Sequence, residues 1–269
     1  MSLPDAFFVP AGDGRFTATG HARGPWSAAH QHAGPPSALL ARAFEQAVAD
    51  DPELQIARLT VELMAPVPLA TLEVAATVFR AGRKVRRLDA TLAAGGRPIA
   101  RASALAVRAA PRDLAPIALD PHEPPPPPEQ GTPFKFPVFH ASGVGYHTAV
   151  DARCVRGGYL KNPTTVWIRS RVALVDGETP SPLQRVMIAA DSGNGVAVVL
   201  DPRRYTFMNA DLTVYLHRLP AGEWICLDAV TAAVPGGVGL ATSRLFDARG
   251  AIGWGLQGLV VEARDSTGA

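Results

Sequence analysis

The stretch RLTVELMAPVPLATLEVAATVFRAG, residues 58–82, occurs a second time in altered form as DLTVYLHRLPAGEWICLDAVTAAVPG, residues 211–236. Upstream, PPSALLAR (35–42) aligns in the same way with TPSPLQR (179–185). Self-similarity over this much of the chain indicates an internal duplication, so the two halves should share one fold. At one constant offset the matched residues are Leu59, Thr60 and Val61 with Leu212, Thr213 and Val214, and Val107 with Val260.

Each half has the same predicted order of elements. A short strand precedes a helix. Pro36-Ser37 opens the helix of the first half and Ser181-Pro182 opens that of the second. These residue types are typical of a helix N-terminus. Four strands then follow with short turns between them. One helix with about five mostly antiparallel strands indicates an α+β fold and not a doubly wound parallel sheet. In the first half these strands are predicted at about 55–64, 71–80, 84–94 and 97–108.

A proline-rich segment divides the chain. Residues 110–137 read APRDLAPIALDPHEPPPPPEQGTPFKFP, in which Pro124–Pro128 are consecutive. Such a run favours extended polyproline II and suits a spacer between domains, with a ligand for an SH3-type domain as the alternative. We therefore predict an N-terminal domain over 1–110, a linker over 111–137 and a C-terminal domain over 138–269.

Composition excludes several classes of partner. Lys and Arg number 26 against 24 Asp and Glu, which gives no electrostatic reason to expect nucleic acid or an anionic membrane. No apolar run is long enough to span a bilayer, and the first residues, MSLPDAFFVPAGDGRF, lack the pattern of a secretory signal. Cys154 and Cys226 form no CxxC pair, which favours a reducing compartment. We expect a cytoplasmic protein.

Motifs for cofactor or nucleophile chemistry are missing. The sequence contains no G-x-S-x-G, no Walker loop and no G-x-G-x-x-G, so we expect no nucleotide cofactor and no serine nucleophile of the α/β-hydrolase type. His30 and His32 lack a third ligand at metal spacing. We therefore expect no metal, and we interpret both histidines as satisfied or exposed side chains.

One acidic residue is placed awkwardly. In RVMIAADSGNGVAVVL, residues 185–200, the apolar face of the second helix runs through Val186, Met187 and Ala190, and Asp191 lies at its edge. The C-terminal end of a helix disfavours negative charge, and the face beside it should be buried. A functional carboxylate or a simple turn-stabilising residue would each account for Asp191.

The repeat unit and its landmarks resemble the double-hotdog acyl-CoA thioesterase II family. The residues that carry the resemblance are GPPSALLARAFE (34–45), SPLQRVMIAADSGNG (181–195), NADLTVYLHR (209–218) and GLQGLVV (255–261). The resemblance implies a tandem hotdog fold, with two antiparallel sheets each wrapped on a central helix. It also implies a thioesterase that acts on acyl-CoA with activated water, needs no cofactor and assembles as a homo-oligomer.

The same resemblance implies three catalytic residues. In that family an Asp, a hydroxyl- or amide-bearing residue and a Gln activate the water, and these roles fall on Asp191, Asn209 and Gln257. The better-known form of the family has a hydroxyl at the second place, and Thr213 is the alternative residue for it. A carboxylate in an apolar cleft suits a general base, and an amide can orient water.

The duplication supplies an internal control. All three positions are apolar in the sister half, which must build the same scaffold, so the fold does not require polarity there. We therefore expect Gln257→Ala to lower turnover while leaving the melting temperature nearly unchanged. The equivalent pairs are Asp191 with Ala47, Asn209 with Ile56, and Gln257 with Ala104.

Gly34 is the predicted substrate-binding residue, with a plain turn before Pro35 as the alternative. It opens the first helix, where free N–H groups can hold a developing oxyanion, and a glycine lets substrate approach closely. Two other functions remain open: an acyl-thioester-binding protein with weak catalysis, and a hotdog hydratase or dehydratase. The latter requires a histidine paired with the acid, and the helix of the second half contains none.

Overall fold

The computed structural model describes residues 5–110, 113, 124–138, 140 and 143–264. Elements of the first half are β1 (Ala6–Pro10), β2 (Arg15–Ala18), α1 (Gly34–Ala47), β3 (Leu54–Leu63), β4 (Thr71–Ala81), β5 (Val85–Ala94) and β6 (Arg97–Arg108). The next elements are β7 (Thr132–Pro133), α2 (Tyr146–Ala149), β8 (Val150–Arg156), β9 (Thr164–Ser170), β10 (Ala173–Val175), α3 (Pro182–Ala190) and α4 (Gly193–Val196). The last are β11 (Tyr205–Asn209), β12 (Asp211–Leu216), β13 (Ile225–Ala233), β14 (Val238–Asp247) and β15 (Gly250–Ala263). Strands β3–β6 correspond to the four predicted in the first half.

One continuous sheet contains the strands of both halves, where one antiparallel sheet in each half was expected. Its order is β10-β1-β2-β4-β5-β6-β3-β12-β15-β14-β13-β9-β8-β7, with β11 also paired to β15. Strands β3 and β12 join the halves in antiparallel register, and β1 pairs with β10 in parallel. The physical reason is that β3 and β12 would otherwise each leave an unpaired edge.

The register at this junction follows the duplication. Thr60 lies opposite Thr213, the Oγ1 atoms are 3.1 Å apart, and the two residues are separated by 153 positions, the same offset that aligns the halves. A pseudo-twofold axis therefore passes between equivalent residues. The Thr213 side chain lies on the face of the sheet away from the helices, because its neighbours Leu212 and Val214 are buried on the inner face.

The two long helices pack side by side with opposite directions. Near one end, the Gly34 position lies so close to α3 that a Cβ there would be 2.5 Å from the Ile188 carbonyl oxygen. Near the other, Glu45 accepts hydrogen bonds from Ser181 Oγ at 2.7 Å and Gln184 Nε2 at 2.8 Å. The start of α1 is thus brought to the end of α3, and the core fills the space between the helices and the sheet.

The end of the predicted linker contacts the second half. Trp167 Nε1 donates to the Pro126 carbonyl oxygen at 2.7 Å, and β7 pairs with β8. Of the predicted linker, residues 111–112 and 114–123 lie outside the described residues. Within the described ranges, none of the helices has the length and apolar character that crossing a bilayer would require.

Candidate active site

A cavity of about 450 Å³ is lined by residues of both halves. Most of its wall is apolar, whereas His32, Asp191 and Asn209 are polar residues that line it together. This volume and balance are typical of small-molecule sites, in which a few polar groups orient a largely apolar ligand. The apolar wall includes Trp26, Met64, Phe136, Val198 and Phe207.

The carboxylate of Asp191 is the centre of the polar group. Its side chain is only 4% exposed. Oδ1 accepts a hydrogen bond from Asn209 Nδ2 at 2.8 Å and a longer one from Gln257 Nε2 at 3.4 Å, while Oδ2 lies 2.9 Å from His32 Nδ1. The structure therefore brings the three sequence-predicted catalytic residues together and adds a histidine to them.

Antiparallel helix packing explains how an acid is tolerated at the end of α3. Asp191 caps the C-terminus of α3, where the helix dipole disfavours negative charge. The N-terminus of α1, where the helix dipole favours negative charge, lies beside Asp191. The Gly34 N–H donates a hydrogen bond to His32 Nδ1 at 3.1 Å, and the next two residues are prolines without an N–H. Gly34 is buried, and the close approach that its missing side chain permits is between α1 and α3.

A β-bulge turns Asn209 toward Asp191. Asn209 pairs with Leu259 but Thr213 pairs with Leu256, so the strand through Ala210 contains one extra residue. The inward positions consequently change from odd numbers in β11 to even numbers in β12. Without the bulge, the Asn209 side chain would point away from the cavity.

The first half contains the same bulge without the polar residues. The pairing of β3 with β6 shifts in register between Ile56 and Arg58, at the position equivalent to the shift at Ala210 in the second half. Ile56 pairs with Ala106 as Asn209 pairs with Leu259, which supports the alignment that matches Asn209 with Ile56. Ile56 is buried in the core, so the bulge belongs to the scaffold and the amide belongs to the second half alone.

Gln257 lies behind Asp191 and is 2% exposed. Its Nε2 donates to the Asp191 backbone oxygen at 3.0 Å, and its Oε1 accepts from the Asn194 backbone N–H at 2.9 Å. Gly193 packs directly against the Gln257 amide: a Cβ at Gly193 would be 2.9 Å from Gln257 Oε1. The amide of Gln257 therefore fastens the Asp-Ser-Gly-Asn turn from behind.

Sequence reasoning missed His32. The sequence predicts a satisfied or exposed side chain at this position, and the helix of the second half contains no histidine to pair with the acid. The structure instead places the His32 ring against Asp191 and stacks it on Tyr146, with centroids 3.7 Å apart and planes 6° apart. The available signal was its position just before α1, combined with antiparallel packing of the duplicated helices.

Tyr146 holds the histidine ring from one face. Its hydroxyl donates to the Ile188 carbonyl oxygen at 2.8 Å and lies 2.9 Å from Ser192 Oγ. Burial raises the pKa of Tyr146 well above its usual value, so the phenol stays neutral. Among the described residues, no group of three or more His, Cys, Asp or Glu side chains is arranged to hold a metal ion.

Comparison with solved structures shows a hot dog fold. A protein assigned as a thioesterase II from Thermobifida fusca is 21% identical with a TM-score of 0.74, and 95% of each chain is covered. A protein of unknown function with a hot dog fold from Alicyclobacillus acidocaldarius is 18% identical, with a TM-score of 0.69, over 98% of this chain and 96% of that one. An acyl-CoA thioesterase II from Mycobacterium marinum is 15% identical with a TM-score of 0.65, over 98% of each chain.

Family comparison covers both halves. A search of curated protein sequences found no match. Residues 22–119 match the acyl-CoA thioesterase N-terminal domain, and residues 111–261 match the acyl-CoA thioesterase C-terminal domain. The chain therefore belongs to the acyl-CoA thioesterase family and is a thioester hydrolase.

Proposed function

We propose that the protein hydrolyses fatty-acyl-type CoA thioesters with a water molecule held at Asp191 and Asn209. The observation that carries this proposal is the 2.8 Å hydrogen bond from Asn209 Nδ2 to Asp191 Oδ1 on the wall of an apolar cavity. The apolar wall suits an acyl chain, and the polar group suits activation of water at the thioester carbonyl. The reaction needs no cofactor.

Each polar residue has a separate role in this proposal. The Asn209 side-chain oxygen has no hydrogen-bond partner among the described residues, so it can accept a hydrogen bond from the water. Gln257 acts as a positioning residue, because both ends of its amide are engaged by the turn that carries Asp191. Asn209 fills the second catalytic place and Thr213 does not, because Thr213 is paired with Thr60 outside the cavity.

Thiol release from short, medium and long acyl-CoAs tests the proposal. We expect Asp191→Asn to lower turnover on the best substrate by at least about a hundredfold, the scale of losing acid–base catalysis. Thr213→Val is the matched control and should leave turnover unchanged. Tight binding of acyl-CoA without release of thiol would favour the acyl-thioester-binding protein instead.

A second candidate function is hydration of a 2-enoyl thioester. The contact between His32 and Asp191 favours it, because that chemistry uses a histidine paired with an acid. Loss of the enoyl absorbance without thiol release would identify this activity. Thiol release without loss of the enoyl group would exclude it for the substrate tested.

We also propose that each half is one hotdog unit and that the full arrangement is a tandem hotdog, divided at 1–110, 111–137 and 138–269. The shared 153-residue offset and the repeated bulge support this division.

Cys154 and Cys226 are both free thiols, which supports a reducing compartment such as the cytoplasm.

A homo-oligomer is proposed through the outer face of the second half's sheet. Tyr215 and Trp254 pair across β12 and β15 and are 49% and 39% exposed, with Leu240 exposed on β14. Four strands of about nine residues cover roughly 600 Å², close to the ~800 Å² per partner of a standard interface. A second copy of the chain is therefore the proposed partner. The equivalent residues of the first half are charged: Glu62 for Tyr215, Arg101 for Trp254 and Arg87 for Leu240.

Sedimentation velocity tests this interface. We expect the double variant Trp254→Arg with Leu240→Arg, which copies the first half, to sediment as a monomer. Glu62→Gln on the first half should leave the wild-type assembly intact. A monomeric wild-type protein, or a double variant that assembles normally, would refute the proposal.

A further inference from the structure

The active-site cavity reaches both faces of the sheet. Side chains in β11 alternate between the faces, so Phe207 and Asn209 point inward and Met208 points outward. All three line the cavity, as does Val260, the exposed partner of Met208 in β15. A cavity that is lined from both faces must pass through a gap in the sheet.

The gap lies where β3 and β11 separate. The two halves are joined as far as the Leu63 N–H, which donates to the Ala210 carbonyl oxygen at 2.8 Å. Beyond that bond the first half turns toward β6, because the N–H groups of Met64 and Ala65 both donate to the Ile99 carbonyl oxygen, at 2.9 and 3.2 Å. Among the described residues, β11 pairs with β15 and with no other strand, so its second edge faces the gap.

The rim of the gap is apolar although it is exposed. Met64, Met208 and Val260 all line the cavity and are 43–47% exposed. Exposed apolar side chains around a cavity indicate a surface that an apolar ligand covers. Methionine suits such a ligand, because its flexible side chain adapts to the shape of what it contacts.

The duplication shows that the fold does not require methionine at these places. At the 153-residue offset that aligns the halves, both methionines have polar equivalents. The equivalent pairs are Met208 with Gln55 and Met64 with His217, whereas Val260 and Val107 are both apolar. An apolar residue at an exposed position, in one copy only, indicates a function that packing does not require.

The rim suits the acyl chain better than the CoA moiety. The amides and phosphates of CoA need polar or basic partners, and the rim offers apolar side chains. Glu262, two positions after Val260 in β15, also lines the cavity, and a carboxylate beside the rim disfavours phosphate. The basic residues Arg23, His30 and His147 line the cavity too, but they belong to the segment before α1 and to α2, not to the strands of the rim.

We propose that the acyl chain passes through this gap and that Met64 and Met208 determine selectivity for long chains, which rests on the proposed thioesterase function. The thioester carbonyl is held at Asp191 and Asn209, and Asn209 is the neighbour of Met208 in β11. The chain therefore enters the gap directly from the reacting carbon, and its last carbons lie against the outer face of the sheet. The volume of the cavity does not limit the length of the chain, so the substrate class is long-chain acyl-CoA.

Hydrolysis of butyryl-CoA and hexadecanoyl-CoA is the first test. The double variant Met64→His with Met208→Gln copies the polar equivalents of the first half, and Met64→Leu with Met208→Leu keeps the rim apolar. Burial of one methylene contributes about fourfold, so losing contact with two or more should lower the kcat/KM ratio of hexadecanoyl-CoA to butyryl-CoA by at least about tenfold. The leucine variant should keep the wild-type ratio, and so should Phe79→Gln, which removes an exposed apolar side chain from β4. A polar double variant with the wild-type ratio would overturn the proposal.

Sedimentation velocity is the control, because the rim lies on the same outer face as the proposed interface at Trp254 and Leu240. The polar double variant should sediment like the wild type. If long-chain selectivity and assembly are lost together, the methionines belong to the interface and the proposal is wrong.

The path of the chain can also be mapped without turnover. S-hexadecyl-CoA is a thioether with no carbonyl to hydrolyse, and a diazirine on its last carbon should label Met64, Met208, Val260 or the neighbouring Val238 on irradiation. Labelling of inward residues alone, such as Phe207, would overturn the proposal, as would absence of labelling. Labelling of the rim in a wild type that releases no thiol from any acyl-CoA would refute the proposed hydrolysis and leave the path of the chain in place.

Discussion

Replacement of Gln257 by alanine should destabilise the protein as well as slow it. The side chain supplies the partner of two buried backbone groups, the Asp191 carbonyl and the Asn194 N–H. Each group left unsatisfied costs about 1–3 kcal/mol, so we expect the free energy of unfolding to fall by about 2–6 kcal/mol. For a chain of this size, that corresponds to roughly 4–24 °C in melting temperature.

This expectation reverses the one drawn from the duplication. Ala104 occupies the equivalent position and pairs with Leu88, as Gln257 pairs with Ala241, so the strand itself tolerates alanine there. The difference lies in the turn after α3, whose backbone groups depend on the Gln257 amide. Stability and turnover should therefore fall together, because the displaced turn carries Asp191.

The assay combines thermal unfolding, followed by circular dichroism, with thiol release well below the melting temperature. Gln257→Met is the matched variant, since it keeps the side-chain volume and removes both hydrogen bonds. We expect Met to recover little of the stability lost with Ala. If both variants melt within about 1 °C of the wild type yet lose turnover, Gln257 acts directly on water and the positioning role is wrong.

Two further predictions concern the scaffold. Gly34→Ala should destabilise the protein by about 1–3 kcal/mol in urea unfolding, because the added Cβ would meet the Ile188 carbonyl at 2.5 Å and push α1 from α3; unchanged stability would contradict this packing. Burial tends to raise the pKa of Asp247, but hydrogen bonds from Arg218 and the Ala221 N–H outweigh it and lower that pKa. Its stabilisation is therefore present above the unfolded pKa of about 3.9 and lost as pH falls through the folded value. Asp247→Asn should cost about 3 kcal/mol at neutral pH and progressively less below about pH 4; an equal cost at pH 3 would contradict it.

The sequence alone determined the repeat, and with it much of the fold. Side chains in a strand alternate between faces, so a matched pattern such as that of Leu59 and Leu212 can only be kept if both strands have the same register and the same buried face. The catalytic roles of Asp191, Asn209 and Gln257 were implied by the resemblance to the thioesterase family, and the duplication supported them for a related reason. Two copies of one scaffold share their packing demands, and polarity in one copy only indicates a function that packing does not require.

The tertiary structure alone decided which groups meet. His32 and Asp191 belong to different halves, and no local pattern links them; antiparallel packing of α1 on α3 brings them within 2.9 Å. The single sheet likewise depends on pairing of two edges that are distant in the chain, β3 and β12. The role of Gln257 depends on where the backbone of another element lies, which its own strand pattern does not record. Contacts between distant segments depend on the relative placement of whole elements, and local periodicity does not contain that information.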